Sequence, residues 1–232
     1  MKRVKQQRWD SPFTRFLGDL PLKKIMLIST AGVMQKGQPF EEPKSGFWLI
    51  PGNIRAEDLC VPHRYFDHSN IDGDINCIFP IDRLRELISA GRIKGVTDEH
   101  VSVYGYHLIQ ARIKRVVAPQ IAEIAEASQS GAVLITAGGL FCHRIAITVQ
   151  KVVEERGIPT VLITQFPRVT RLSKPPRALY PVGFKPGHAV GPPHQTELQR
   201  QVVLDALCLL TELDEPGLVV EKQYPEYSIS KS

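Results

Sequence analysis

The sequence lacks three things that would each have narrowed its function at once. No run approaches the ~20 consecutive apolar residues that a membrane-spanning helix needs. None of the four cysteines (Cys60, Cys77, Cys142 and Cys208) forms a C-x-x-C pair, so neither a structural zinc site nor a thioredoxin-like motif has support. No apolar segment or small-residue cleavage site follows the basic start "MKRVKQQRWDSP". These absences predict a soluble, cytoplasmic protein with reduced thiols, no membrane partner and no bound metal. A basic face is also missing. Lys2, Arg3, Lys5 and Arg8 carry +4 of the net +5, and the remainder is close to neutral. A nucleic-acid partner is therefore not expected.

What is present is an alternation of short apolar runs and amphipathic segments. "KKIMLIST" (23–30), "AVLIT" (132–136) and "TVLIT" (160–164) read as buried strands, with "GFWLIP", "HVSVYGYH" and "ALYPV" as further candidates. Helices are predicted over the segment beginning at Pro80, from Pro119 to Gly131, from about Cys142 to Arg156 and from about Gln195 to Leu213. The stretch 33–70, rich in Gly, Pro and charge, is expected to be mostly irregular. This order predicts an α/β, Rossmann-like fold: a mostly parallel sheet with helices on both faces, binding ligands at the strand C-termini. Residues 1–22 form an arm and 23–232 a single domain. "LISTAG" (27–32) echoes "LITAGG" (134–139), which leaves open two related lobes, about 23–105 and 106–232.

Chemistry concentrates in "LITAGGLFCHR". Cys142 falls in the first turn of a helix that follows a strand and a glycine turn, where free N–H groups and the helix dipole lower a thiol's pKa. His143 and Arg144 stand next to it. Two readings apply: a thiolate or anion-binding corner, and a cysteine packed under the loop. Asp72, Asp74 and Asn76 begin like a calcium loop, but position 6 is Cys77 and position 12 is Arg83, so that reading fails. Asp74 and Asn76 remain candidates to face the cleft. Arg168, Arg171, Lys174 and Arg177 follow a strand end. Arg171 and Arg177 are expected to hold a carboxylate or phosphate there, with a solvated loop as the alternative. His188 and His194 with Cys142 and His143 match no metal-ligand spacing.

Three segments taken together resemble a known family. They are "FDHSNIDGDINCIFPIDRLRELISAGRIKGV", "LITAGGLFCHRIAITVQKVVEERGIPTVLIT" and "PRALYPVGFKPGHAVGPP". They are similar to the selenoprotein B subunits of glycine, sarcosine and betaine reductases, and more strongly to the selenoprotein of D-proline reductase. The resemblance implies a reductase-type subunit that cleaves a C–N bond of a small amino-acid-like substrate. That substrate is held on a pyruvoyl group of a partner subunit, with no cofactor in this chain. It also implies a selenocysteine after Thr-Ala-Gly, resolved by the cysteine of Cys-His-Arg. Here the matching position is Gly139, so the implied site lacks its nucleophile and keeps Cys142. Catalytic residues are then expected at Cys142 and His143. Substrate contacts are expected at Asp74, Asn76, Gly138, Gly139, Arg144, Arg171 and Arg177, in a homo-oligomer. The alternative is a non-catalytic subunit that binds a ligand or partner on the same scaffold.

Overall fold

The architecture is taken from a computed structural model that describes residues 11–62, 68–104 and 109–227. Its elements run β1 (Lys24–Ser29), β2 (Met34–Gln35), β3 (Phe47–Pro51), β4 (Leu59–Cys60), α1 (Ser69–Gly73), α2 (Ile81–Ser89), β5 (Gly95–Val96) and β6 (Glu99–Val103). They continue with α3 (Gln110–Arg112), α4 (Ala118–Ala127), β7 (Ala132–Thr136), α5 (Leu140–Glu155), β8 (Thr160–Ile163), α6 (Pro167–Leu172), β9 (Arg177–Pro181), α7 (Thr196–Glu212) and β10 (Leu218–Lys222).

One sheet dominates, in the order β10-β9-β8-β7-β1-β6-β3, with β5 also paired to β1. All its pairings are parallel except β3 with β6. The predicted α/β class and mostly parallel sheet are thus what the chain builds. Parallel strands covered on both faces need apolar residues on both sides. Ile25 and Leu27 turn to one face, where α2 and α7 supply Leu84, Val203 and Leu207. Met26 and Ile28 turn to the other, where α4 and α5 supply Ile121, Ala146 and Val149. The two-residue period of a strand sends alternate side chains into the two cores.

Between β5 and β6 the ladder to β1 is interrupted, and the Leu27 N–H donates instead to His100 Nδ1 at 3.1 Å. Burial, and then Arg85, depress the His100 pKa to about 3, so this ring acts as a neutral strand partner.

Several expectations are corrected. The helix predicted to start at Pro119 begins nine residues earlier, as α3 followed by a π-turn over Ile113–Val117 and then α4. Proline has no N–H to return to the preceding turn, and the wider π-turn sits directly before it. The Pro- and Arg-rich stretch after β8 contains α6, with Pro167 in its first turn. Strand β10 was not anticipated. Within 33–70 there is a small antiparallel pair, β2 with β4. The "GYH" end of the β6 candidate includes residues 105–107, which lie outside the described residues.

Arg177 is not a ligand-facing arginine. It lies at the start of β9, fully buried, and pairs with Glu154 on α5 at 3.0 Å. It also donates to the Thr160 carbonyl at 3.0 Å and to the Thr14 carbonyl at 2.7 Å. Arginine after a strand end suggests a ligand clamp only when the strand really ends there; residue 177 begins the next strand instead. No helix among the described residues is long and apolar enough to cross a membrane.

Candidate functional site

The successors of β1 lie on opposite sides of it: β6 on one side, β7 on the other. In an open α/β sheet, such a divergence leaves a crevice at the strand C-termini. The sequence echo falls here. Leu27, Ile28 and Ser29 pair in register with Leu134, Ile135 and Thr136, so the two similar segments are hydrogen-bonded neighbours at the sheet centre. Beyond the ladder, the Thr30 N–H donates to the Thr136 carbonyl at 3.0 Å, and Thr30 Oγ1 donates to the Cys142 carbonyl at 3.0 Å.

After β7 the chain passes Ala137-Gly138-Gly139 and enters α5 with Gly139 as N-cap. Gly139 has φ −112° and ψ −174°, extended backbone that any residue adopts. A Cβ built on it has no other heavy atom within 4 Å among those considered. Glycine at this position is required neither by backbone conformation nor by packing.

Cys142 is half-buried on the inner side of the first turn, against the core shared by β1, β7 and α5. Burial pushes its thiol pKa up, while the backbone N–H groups of Gly139, Gly138 and Cys142 pull it down without cancelling the burial. The direction is opposite to the one the helix terminus alone predicts. A helix-end field of partial charges is outweighed when the sulfur packs against apolar side chains.

His143 is fully buried, and both its ring nitrogens are engaged. Nδ1 donates to the Gly139 carbonyl at 2.7 Å, and Nε2 accepts from the Gln165 N–H at 3.2 Å. Phe166 meets the ring edge to face at 4.9 Å between centroids. Burial lowers the His143 pKa to about 4, against the two hydrogen bonds, which raise it. A neutral imidazole with both nitrogens in use fixes the loop after β7 to the loop after β8. It has no lone pair left to act as a base in this arrangement.

Asp74 and Asn76 form a polar knot beside this corner. Asn76 Nδ2 donates to Asp74 Oδ1 at 3.1 Å and to Asp82 Oδ2 at 3.0 Å, and Asn76 Oδ1 accepts from the Asp82 N–H at the start of α2. Asp74 Oδ2 accepts from Gln199 Nε2 at 2.9 Å and from the His194 N–H at 3.0 Å. Burial opposes the Asp74 charge, yet the bonds from Gln199, His194 and Asn76 outweigh it and its pKa lies below the ordinary value. The knot joins the corner through Thr136 Oγ1, which donates to the Ile78 carbonyl, and through the Val190 N–H, which donates to the Cys77 carbonyl. Gln165 Nε2 completes the ring by donating to the Ala189 carbonyl at 3.2 Å.

The structure therefore brings Gly138, Gly139, Cys142 and His143 together and ties Asp74 and Asn76 to them through the backbone. Arg144 is exposed on the same helical turn, and Leu140 and Phe141 form an apolar rim, Phe141 being 75% exposed. Arg171 lies on α6 and pairs with Glu221 of β10 on the surface, outside this corner. Among the described residues no cluster of metal-ligating side chains occurs. Thr30, Thr136 and Gln165 were not foreseen as parts of the corner. The "LISTAG" echo was the signal for Thr30 and Thr136, while nothing local marks Gln165.

The chain is 34% identical over 216 residues to the protein named D-proline reductase subunit gamma of Acetoanaerobium sticklandii, covering 92% of this chain and 88% of that one. The chain belongs to the D-proline/glycine reductase selenoprotein B family. It is 27% identical to a glycine reductase complex component B subunit gamma of Symbiobacterium thermophilum, covering 83% of this chain but only 47% of that relative. A sarcosine reductase complex component B subunit beta of Peptoclostridium acidaminophilum is 25% identical, with 85% of this chain and 48% of the relative covered. No family model and no solved structure matches.

Two predictions follow from the geometry. Gly139→Cys folds with stability changed by less than about 1 kcal/mol, since a side chain here restricts the unfolded chain but gives up a tolerated N-cap glycine. Under mild oxidant the new thiol pairs with Cys142, which thiol titration and a non-reducing peptide map detect. A large drop in melting temperature, or thiols that never pair, contradicts it. The second concerns acid. The unfolded chain protonates His143 near its ordinary value of 6.5, the folded chain only near 4. The unfolded state thus binds more protons in that window, and stability, full above about pH 6.5, declines by roughly 3 kcal/mol toward pH 4. Urea midpoints across this range should fall less steeply for His143→Gln than for the parent.

Proposed function

We propose that this chain is a subunit of an amino-acid-reductase-type complex, that it holds a small amino-acid-like substrate against a partner subunit, and that it supplies no attacking nucleophile of its own. Gly139 carries the reading. It caps α5 in ordinary backbone, with open space where a side chain would project, three residues before the thiol of Cys142. A selenol or thiol at position 139 would attack; hydrogen cannot. The relatives are named as subunits or complex components, which supports a partner for this chain. The rim of Leu140 and Phe141 beside the corner offers that partner apolar contact.

In this reading the partner carries a pyruvoyl group, whose carbonyl would bind the substrate's amine. The residues of this chain do the surrounding work. Thr30 and His143 hold the first turn of α5 in place, and the N–H groups of Gly138 and Gly139 are directed at the Cys142 sulfur. Arg144, exposed on that turn, is assigned to a substrate carboxylate.

A second reading makes Cys142 itself the reductant. It is favoured by the three backbone N–H groups around its sulfur, which stabilise a thiolate if burial is relieved. Reconstitution with a pyruvoyl-containing partner separates the two, using a dithiol donor and proline- or glycine-type substrates. The parent complex is expected to bind substrate without turnover, Gly139→Cys to gain dithiol-dependent C–N cleavage, and Cys142→Ser to leave the parent's binding unchanged. Turnover by the parent that disappears in Cys142→Ser would establish the second reading instead.

A further inference from the structure

Three elements meet along the outer surface of α5. Thr148 Oγ1 donates to Gln110 Oε1 of α3 at 3.2 Å, and Lys151 Nζ donates to the carbonyl of Ser173, which caps α6, at 2.9 Å. Phe141, Arg144, Thr148 and Lys151 stand three or four residues apart, so they share one stripe of the helix, about 15 Å long. At the upper end of the stripe Phe141 projects into solvent, one residue before Cys142 and two after Gly139. Leu172, in the last turn of α6, is exposed as well.

The charges beside this stripe are predominantly positive. In the π-turn Ile113 and Val117 turn into the core, which leaves Lys114 and Arg115 outside. Burial, and then the charges of Lys174 and Lys114, lower the Lys151 pKa, with Glu155 opposing them. The π-turn, α5 and the end of α6 thus bring lysines within electrostatic range of one another. Among the described residues, none of Lys114, Arg115 and Lys151 has a carboxylate oxygen within 4.0 Å. Like charges held together in this way repel, and a negative surface laid over them relieves the repulsion. An exposed phenyl ring beside them calls for an apolar socket. The phosphate backbone of a duplex supplies charge without such a socket; an acidic protein surface supplies both.

We infer that the stripe from Phe141 to Lys151, with Lys114 and Arg115 beside it, is the docking face for an acidic partner protein: Phe141 anchors in an apolar socket, and the cations steer and orient the approach. The inference rests on the proposed subunit role and takes the partner to be the pyruvoyl-containing subunit. Seating Phe141 brings that subunit over Gly139 and the Cys142 corner.

The test follows binding of the full chain to the pyruvoyl-containing subunit by surface plasmon resonance at low and high salt. Lys114→Glu/Arg115→Glu and Phe141→Ala are compared with the parent and with Lys94→Glu. The last makes the same kind of charge change at an exposed position beside the N-terminal end of β1, away from the corner. Arg144 stays unaltered, so that a lost substrate contact is not scored. Expected for the parent is an association rate that falls with salt. The charge reversal lowers that rate about tenfold at low salt and flattens its salt dependence, because steering acts on encounter. Phe141→Ala instead speeds dissociation about tenfold, as loss of a buried anchor does. Lys94→Glu changes neither. Parent binding that both face variants retain at parental rates overturns the inference and leaves the subunit role standing, whereas no binding by the parent overturns both. An equal effect of Lys94→Glu also overturns the inference, since net charge and not this face then governs binding. So does weakening by the charge reversal alone with a mixed-sequence DNA duplex bound more tightly than the subunit: the face then serves a polyanion.

Discussion

Five residue pairs join β1 to β7 in parallel, from Ile25 with Ala132 to Ser29 with Thr136, and the candidate site depends on that pairing. It places two strand ends side by side where the chain's path diverges. The hydroxyl of Thr30 then spans from one strand end to the first turn of α5, and Thr136 reaches the Ile78 carbonyl in the segment before α2. Displacing either strand by one residue would send its core side chains to the wrong face and break both ties.

On this base the corner is built for position rather than reactivity. Its buried histidine is neutral and doubly bonded, its aspartate is satisfied by four donors, and its thiol is held protonated by burial. Such saturation is costly to disturb, because each buried group that loses its partner retains its desolvation penalty of about 1–3 kcal/mol. A scaffold held in this way keeps its shape whatever stands at position 139.

Much of this was legible in the sequence. "KKIMLIST", "AVLIT" and "TVLIT" were readable because strands buried on both faces are continuous apolar runs, and the echo of "LISTAG" in "LITAGG" marked the two strand ends that meet. The start of α3 was hidden because Pro119 is a strong helix-start signal, and a π-turn that accommodates proline leaves no local mark. Arg177 was misjudged because an arginine near a strand end looks alike whether it faces a ligand or Glu154, 23 residues away in sequence. The raised thiol pKa was equally invisible: the helix terminus is a local feature, but the burial that outweighs it comes from distant strands.

The central claim is that the parent chain presents no activated thiol at this corner. The most direct measurement is the pH dependence of Cys142 alkylation in the native protein, mapped by peptide. The account predicts a midpoint above the ordinary thiol value of 9.0, because burial dominates the three N–H groups. A midpoint well below it, with rapid reaction at neutral pH, would contradict the account and return Cys142 to the role of a working nucleophile.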